Sequence, residues 1–291
     1  MHMSLLIRIN LALGAVFIVA AVFAAYVCRN ILETNARREV FAEAAMMLDS
    51  ATAVRVYTAT EVLPLLAERM NKEFPPQSIP FYAATQNFLH LRERHPQYTY
   101  KEATLNPTNP RDRAADWEGD IIQRFRNDAS APEMTGERET PMGRSLYLAR
   151  PIRVEQECLT CHSTSSAAPP SLVARYGSDN GFGWQLQEIV GAQVVSVPFA
   201  SAEANADRAF RAFMISLIAV FAVVFVVTNA LLYQLVVRPV RQIALIADHI
   251  SQGDMSVEDF PRYGALEIAS LTRSFNRMRT SLDKALRLLG S

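Results

Sequence analysis

Two stretches of the chain are apolar over a length that crosses a bilayer. In Ile9 to Val27 the one strongly polar residue is Asn10. Ala212 to Val237, bounded by Arg211 and Arg238, contains Ser216, Thr228, Asn229 and Gln234 but no charge. A helix of about 20 such residues spans the hydrocarbon core, so both read as transmembrane helices. The first is longer than the roughly 7–15 apolar residues of a signal-peptide core, and no small-residue cleavage site follows it at Arg29-Asn30-Ile31. A lipoprotein signal fits poorly because Tyr26 and Val27 precede Cys28, which reads as an ordinary thiol at the end of the span. The expected divisions are 1–8 before the first span, 9–28 the span, 29–211 a central domain, 212–237 the second span and 238–291 a tail. Arginines flank both spans on both sides, so charge asymmetry does not set the orientation.

The central segment changes period several times. Val40, Ala44, Met47, Leu48, Ala51, Val54 and Val56 form a helical stripe within Asn30 to about Asn71, with Pro64 expected to kink or divide it and Pro75-Pro76 to end it. Tyr82 to Arg94 and Asp116 to Arg126 read as two further helices, separated by the turn-forming Asn106-Pro107-Thr108-Asn109-Pro110. Ser145 to Val154 and Ile189 to Val197 read as strands, and Ser163 to Pro170 as a polar loop. Helices on one side of a few antiparallel strands give an α+β, PAS-like expectation for this domain.

After the second span the spacing becomes heptad-like. Val240, Ile243, Ala247 and Ile250 are followed by a break at Gly253-Asp254. Ile268, Leu271, Phe275, Met278, Leu282, Ala285 and Leu289 then alternate steps of three and four. One chain cannot bury such stripes alone, whereas two chains contributing two helices each form a four-helix bundle. A homodimer is expected.

Composition narrows the function classes. The 291 residues carry 29 basic and 29 acidic side chains, which speaks against a nucleic-acid binder relying on a basic surface. Three cysteines are too few for a disulfide framework. Two of them fall in Cys158-Leu159-Thr160-Cys161-His162, the C-x-x-C-H attachment signature of c-type haem. Cysteines three apart can each add to one vinyl group of a single porphyrin, and the adjacent histidine is then held beneath the iron as proximal ligand. A thiol–disulfide motif lacks its strand-then-helix context here, and a zinc site lacks its second ligand pair. Haem c is attached outside the cytoplasm in bacteria, which implies an inner-membrane protein with 29–211 in the periplasm and both termini in the cytoplasm.

The sixth iron position is open in the sequence. Tyr57, Arg55, His90, His95, Met134 and Met142 are weak candidates, and an empty position accessible to a gas is an equal alternative. Lys101, Arg150 and Arg153 are candidates for pairing with haem propionates.

The tail resembles the HAMP relay domain at Pro239, at Gly253-Asp254, at Glu267-Ile268 and at Phe275-Asn276-Arg277-Met278; Leu266 and Ala269 depart from its usual pattern. The segment Tyr100 to Pro110, Asp116-Trp117-Glu118, Ala149-Arg150-Pro151-Ile152, Gly181-Phe182-Gly183-Trp184 and Val190-Gly191-Ala192 resemble the bacterial c-type haem sensor-domain family, built on a PAS-like fold. The resemblance covers the whole central domain and implies one haem and a redox- or gas-sensing role. One branch of that family takes a second iron ligand from a cysteine in the first helix; the corresponding stretch here is Ala53-Val54-Arg55-Val56-Tyr57, without cysteine.

These readings predict a membrane-bound haem sensor that relays through HAMP to an output that lies in a cytoplasmic partner or in a longer natural protein, with no kinase, cyclase or methyl-accepting segment before Ser291. The runner-up is a membrane-anchored monohaem electron carrier with a periplasmic redox partner. No acid–base constellation marks an enzyme.

Overall fold

The computed structural model describes residues 5–70, 72–141, 143–254 and 266–289. The chain divides into two compact units, Arg29–Ala209 and a second made of Met1–Cys28 with Phe210–Ser291. In chain order the helices are α1 (Leu5–Tyr57), α2 (Leu63–Leu66), α3 (Pro80–Arg94), α4 (Asp116–Asn127), α5 (Leu159–His162), α6 (Pro170–Tyr176), α7 (Ala200–Leu232), α8 (Arg238–Ser251) and α9 (Leu266–Leu289). The strands are β1 (Thr99–Thr104), β2 (Met134–Thr140), β3 (Gly143–Arg153) and β4 (Ile189–Pro198).

The four strands form an antiparallel sheet in the order β1-β4-β3-β2. The fold is mixed α+β, as the pattern predicts, but helices cover both faces of the sheet rather than one. Ala36, Val40, Ala44, Leu48 and Ala51 of α1, with Ala84 and Phe88 of α3, pack against Tyr100, Leu146, Leu148, Val195 and Val197. On the opposite face Ile121, Ile122 and Phe125 of α4 pack against Ala103, Ala149, Ala192 and Val194. The reason lies in β4, where every residue from Ile189 to Val197 is buried. Such a run without polar alternation is the mark of a strand covered on both faces. β1 and β2 escape the sequence reading because they are edge strands rich in Thr and Glu. The loop expected from Ser163 is present up to Pro169, and α6 follows it in a stretch for which the pattern predicts no element.

Both long helices meet a proline, and both respond in the same way. A π turn at Thr58–Val62 precedes Pro64, and another at Tyr233–Val237 precedes Pro239. A proline in a helix removes one N–H and crowds the carbonyl four residues earlier; a turn widened by one residue relieves that crowding without breaking the helix. The expected kink at Pro64 is thus a π turn leading into α2 and the 3₁₀ turn Ala67–Arg69.

At the start of α7 a charge cluster surrounds Phe199, which is 1% exposed. The Arg37 and Arg144 guanidinium groups lie 5.3 and 4.8 Å from its ring centroid. Arg37 pairs with Glu137 at 3.0 Å, and Arg144 pairs with Glu137 at 3.2 Å and with Glu203 at 3.1 Å. The last residue before α7 is thereby tied to α1, β2 and β3.

In the second unit the membrane-length parts of α1 and α7 expose Val16, Ile18, Phe23, Ile218 and Val226. Both helices are long and apolar enough to cross a membrane. Phe17 and Phe221 stack with ring centroids 4.7 Å apart. In the tail, Ile243 and Ile250 of α8 pack with Ile268 and Phe275 of α9. Gly253 has φ of +92° and donates its N–H to the Ile250 carbonyl at 3.1 Å, a left-handed helix end that favours glycine. Ala285 and Leu289 of the heptad stripe have side chains outside the described residues.

Phe125 is fully buried against the α4 face of the sheet. Phe125→Ala is expected to cost about 3–5 kcal/mol through lost burial and a cavity, seen as a lower thermal midpoint by circular dichroism.

Candidate functional site

The C-x-x-C-H motif follows directly on β3. The chain leaves the sheet at Arg153, makes a 3₁₀ turn at Gln156–Cys158 and continues as the one-turn helix α5. Residues three apart lie on one side of a helical turn, so Cys158 and Cys161 present their sulfurs together. Both are free thiols. They meet different apolar walls. Cys158 packs with Phe81, Leu159 and Trp184 against Ile152, Val154 and Val190. Cys161 packs with Phe182 and Tyr176 against Met70, Phe74, Ala168 and Leu172. Burial, and then the neighbouring Cys158, push the Cys161 thiol above its ordinary value, so it stays protonated at neutral pH.

His162 is oriented from three directions. Its Nδ1 lies 2.6 Å from the Gly181 carbonyl oxygen and 3.5 Å from Thr108 Oγ1. Its ring stacks on Trp184 with centroids 4.0 Å apart and planes 13° from parallel. The Trp184 backbone N–H donates to the His162 carbonyl at 3.2 Å. A carbonyl only accepts, so Nδ1 carries the hydrogen and the Nε2 lone pair is left for a metal. Burial lowers the His162 pKa, and the Gly181 bond opposes this in part, so the ring is neutral and ready to ligate. Gly181 has φ of +84°, and a Cβ there would strike Thr108. Glycine is required for its carbonyl to reach the imidazole.

These residues fit a c-type haem. Paired thiols, a neutral imidazole with its outer nitrogen already hydrogen-bonded, and apolar walls are the donor set and surroundings that a covalent haem needs.

The other sequence candidates are dispersed. Arg55 comes nearest: its guanidinium lies 3.8 Å from the Phe81 ring centroid, in the wall that receives Cys158. A guanidinium stays protonated and has no lone pair for iron, so this residue acts by charge. Tyr57 is 61% exposed and lines an open hollow with Glu61, Val62, Leu65 and Leu66. His90 is exposed and lies 3.3 Å from Glu93, and His95 lies beyond the far end of α3 against Tyr98. Met134 pairs with Ala149 in register and belongs to the α4 face, the opposite side from Ile152 and the cysteines. Met142 lies outside the described residues.

The three propionate candidates have other partners. Lys101 donates to Glu118 at 2.6 Å and to the Arg113 carbonyl at 2.7 Å, on the α4 face. Arg150 pairs with Asp49 at 2.6 Å and Glu133 at 3.4 Å. Arg153 donates to the Ala129 carbonyl.

Sequence reasoning missed Glu102. It is 4% exposed on the α1 face of β1. Oε1 accepts from Tyr100, while Oε2 has no hydrogen-bond partner. Burial, only partly opposed by the charge of Arg55 and by the Tyr100 bond, raises its pKa from 4.5 to about 8. Thr108, Gly181 and Trp184 were legible only as parts of short motifs, and Met70 carried no signal.

The fold and the site define an α+β domain that carries a C-x-x-C-H turn, placed in the chain between two candidate membrane helices and followed by a two-helix tail. Residues 33–198, more than half the chain, match the Tll0287-like family, and the chain belongs to it. Residues 231–284 match the HAMP domain. Among solved structures, the chain is similar to the cyanobacterial haem protein Tll0287, with 14% identity over 55% of this chain and 95% of that one and a TM-score of 0.44. A search of curated proteins gives no match.

Because Glu102 binds a proton in the folded state that an unfolded chain releases above 4.5, it favours folding least at high pH. Its contribution is fullest below about pH 4.5 and falls as pH rises toward 8. Glu102→Gln should therefore raise the melting temperature more at about pH 9 than at about pH 5. An equal gain at both would contradict this.

Proposed function

We propose that the chain binds one covalent haem c and converts a change at the haem iron, in oxidation state or in a bound gas, into a change of HAMP packing. The observation that carries this reading is the His162 Nδ1–Gly181 bond beside two free thiols on one helical turn. Cys158 and Cys161 would form the thioethers and His162 Nε2 would be the proximal ligand. When bound, the haem supplies a one-electron centre and a site for diatomic ligands. The chain's own residues hold the imidazole in one tautomer and enclose it in apolar side chains.

The route outward is short. β4 begins beside the motif, with Val190 in the wall that receives Cys158, and ends at Pro198; Phe199 alone separates it from α7. Movement of β4 therefore acts on the first turn of α7. HAMP domains act as dimers and relay to output domains. The exposed Val240, Leu271, Met278 and Leu282 continue the apolar stripes of α8 and α9 beyond what one chain buries, which supports a homodimer through the tail. Attachment of haem c outside the cytoplasm supports a bacterial inner-membrane topology with the central domain periplasmic and both termini cytoplasmic. The output partner would be cytoplasmic. The reading assigns no catalytic step to the chain.

The full chain, coexpressed with the c-haem maturation machinery, should give a haem-staining band on a denaturing gel. Cys158→Ala with Cys161→Ala should abolish that band. The same pair should remove any redox- or gas-dependent change in crosslinking between cysteines placed on α9. Crosslinking that still responds in the double variant would defeat the sensor reading. Carbon monoxide added to the reduced protein separates the stimuli: a shifted Soret band favours a gas, an unmoved one favours the redox state.

A further inference from the structure

We propose that Glu102 is a proton-binding site coupled to the haem, so that the protein takes up a proton at this carboxyl when the iron gains an electron. This rests on haem attachment at Cys158 and Cys161 as read above. It does not depend on HAMP signalling.

The argument begins with two orphaned atoms. Glu102 Oε2 and Arg55 Nε are both buried and both lack a hydrogen-bond partner. One is an acceptor and the other a donor, on groups of opposite charge, each acting on the other electrostatically. A carboxylate with a bare buried oxygen is costly, and protonation removes that cost. Glu102 is thus a carboxyl whose charge depends on small changes around it.

Its position links it to the motif. The Arg55 guanidinium that acts on Glu102 lies over Phe81, 3.8 Å from the ring centroid. Phe81 packs in the same cluster as Cys158 and Trp184, and Trp184 stacks on His162. Arg55 thus acts electrostatically on Glu102 and lies over Phe81, and Phe81 shares with Trp184, the residue stacked on His162, one apolar cluster, so the carboxyl and the proximal ligand border the same buried and partly buried apolar surroundings, where charges are weakly screened.

The ionisable groups facing Glu102 are few. Arg55 acts on it electrostatically from α1, Asp112 does so from the turn at Pro110–Asp112, and Tyr100 donates to it from its own strand. α3 presents Phe81 and Phe88, and β4 presents Gln193, none of them ionisable. Burial drives the Tyr100 hydroxyl far above its ordinary pKa, so it remains a neutral donor. Burial also raises Asp112, whose own partner is Arg111.

The sign follows from charge. Reduction removes one positive charge from the iron. A nearby carboxylate is then less stabilised and its pKa rises. Between the oxidised-state and reduced-state values, one electron enters from a one-electron donor, one proton enters from water onto Glu102 Oε2, and reoxidation releases both. The O–H bond at Glu102 forms as an O–H bond of hydronium breaks, and a water molecule is left behind. Over that interval each tenfold change in proton concentration shifts the reduction equilibrium up to tenfold, about 59 mV for a one-electron couple.

The test uses the full chain, matured with haem and held in lipid nanodiscs. It is poised from about pH 6 to about pH 9.5 with reduced viologens as the one-electron donors, and the midpoint is read from the visible spectrum. The wild type should show a midpoint that falls with pH, and Glu102→Gln a profile flattened over the same interval. Arg55→Gln, which removes the opposing cation, should move the sloping interval to higher pH. An infrared difference spectrum, reduced minus oxidised, should contain a protonated-carboxyl band that shifts with carbon-13 glutamate and is missing in Glu102→Gln. A flat wild-type profile, or a slope retained in Glu102→Gln, overturns the proposal while leaving covalent haem intact. A chain without a haem-staining band overturns both this proposal and the sensor reading.

Discussion

Burial of β4 on both faces is the constraint from which the rest of the sensor unit follows. Its residues cannot alternate between core and water, so the sheet must be covered twice, by α1 and α3 on one side and α4 on the other. The α1 face requires small residues, and α1 supplies Ala36, Ala44 and Ala51 where its backbone meets the sheet. β3, paired along β4, then delivers the C-x-x-C-H turn to the end of the sheet where β4 begins. The motif and the start of the outgoing strand share one apolar wall because they are neighbours in the same ladder.

Much of this was legible in the sequence, and unevenly so. The long amphipathic stretches announced α3 and α4 nearly to their ends, because a period of 3.6 is hard to imitate by chance. The continuous apolar run of β4 reads as a strand, and its lack of polar alternation is the mark of cover on both faces. β1 and β2 were illegible for a physical reason. An edge strand such as Met134–Thr140 alternates with solvent and draws on polar residues, so its composition resembles a loop. The cysteines and His162 stood out because their spacing is dictated by one porphyrin. The residues that orient them did not. Gly181 contributes a backbone carbonyl, which no side chain advertises, and Glu102 lies in a short strand of mixed polarity whose burial comes from helices far away in the chain.

The propionate candidates show the same limit from the other side. Lys101, Arg150 and Arg153 carry the charge that propionates would need. The fold gives each of them a protein partner instead, and Arg55, which has none at its Nε, stands at the wall of the site. Cations in a small domain are assigned by what packs opposite them, which is three-dimensional information.

The two π turns carry a consequence for reading the tail. Each holds one residue more than an α turn would, and one residue of helix is a rotation of about 100°. The turn at Tyr233–Val237 sits between α7 and α8 without ending the helix. The apolar stripe of α8 is therefore out of phase with the span by that angle, and a heptad register counted backward from Val240 through the membrane indicates the wrong side of α7.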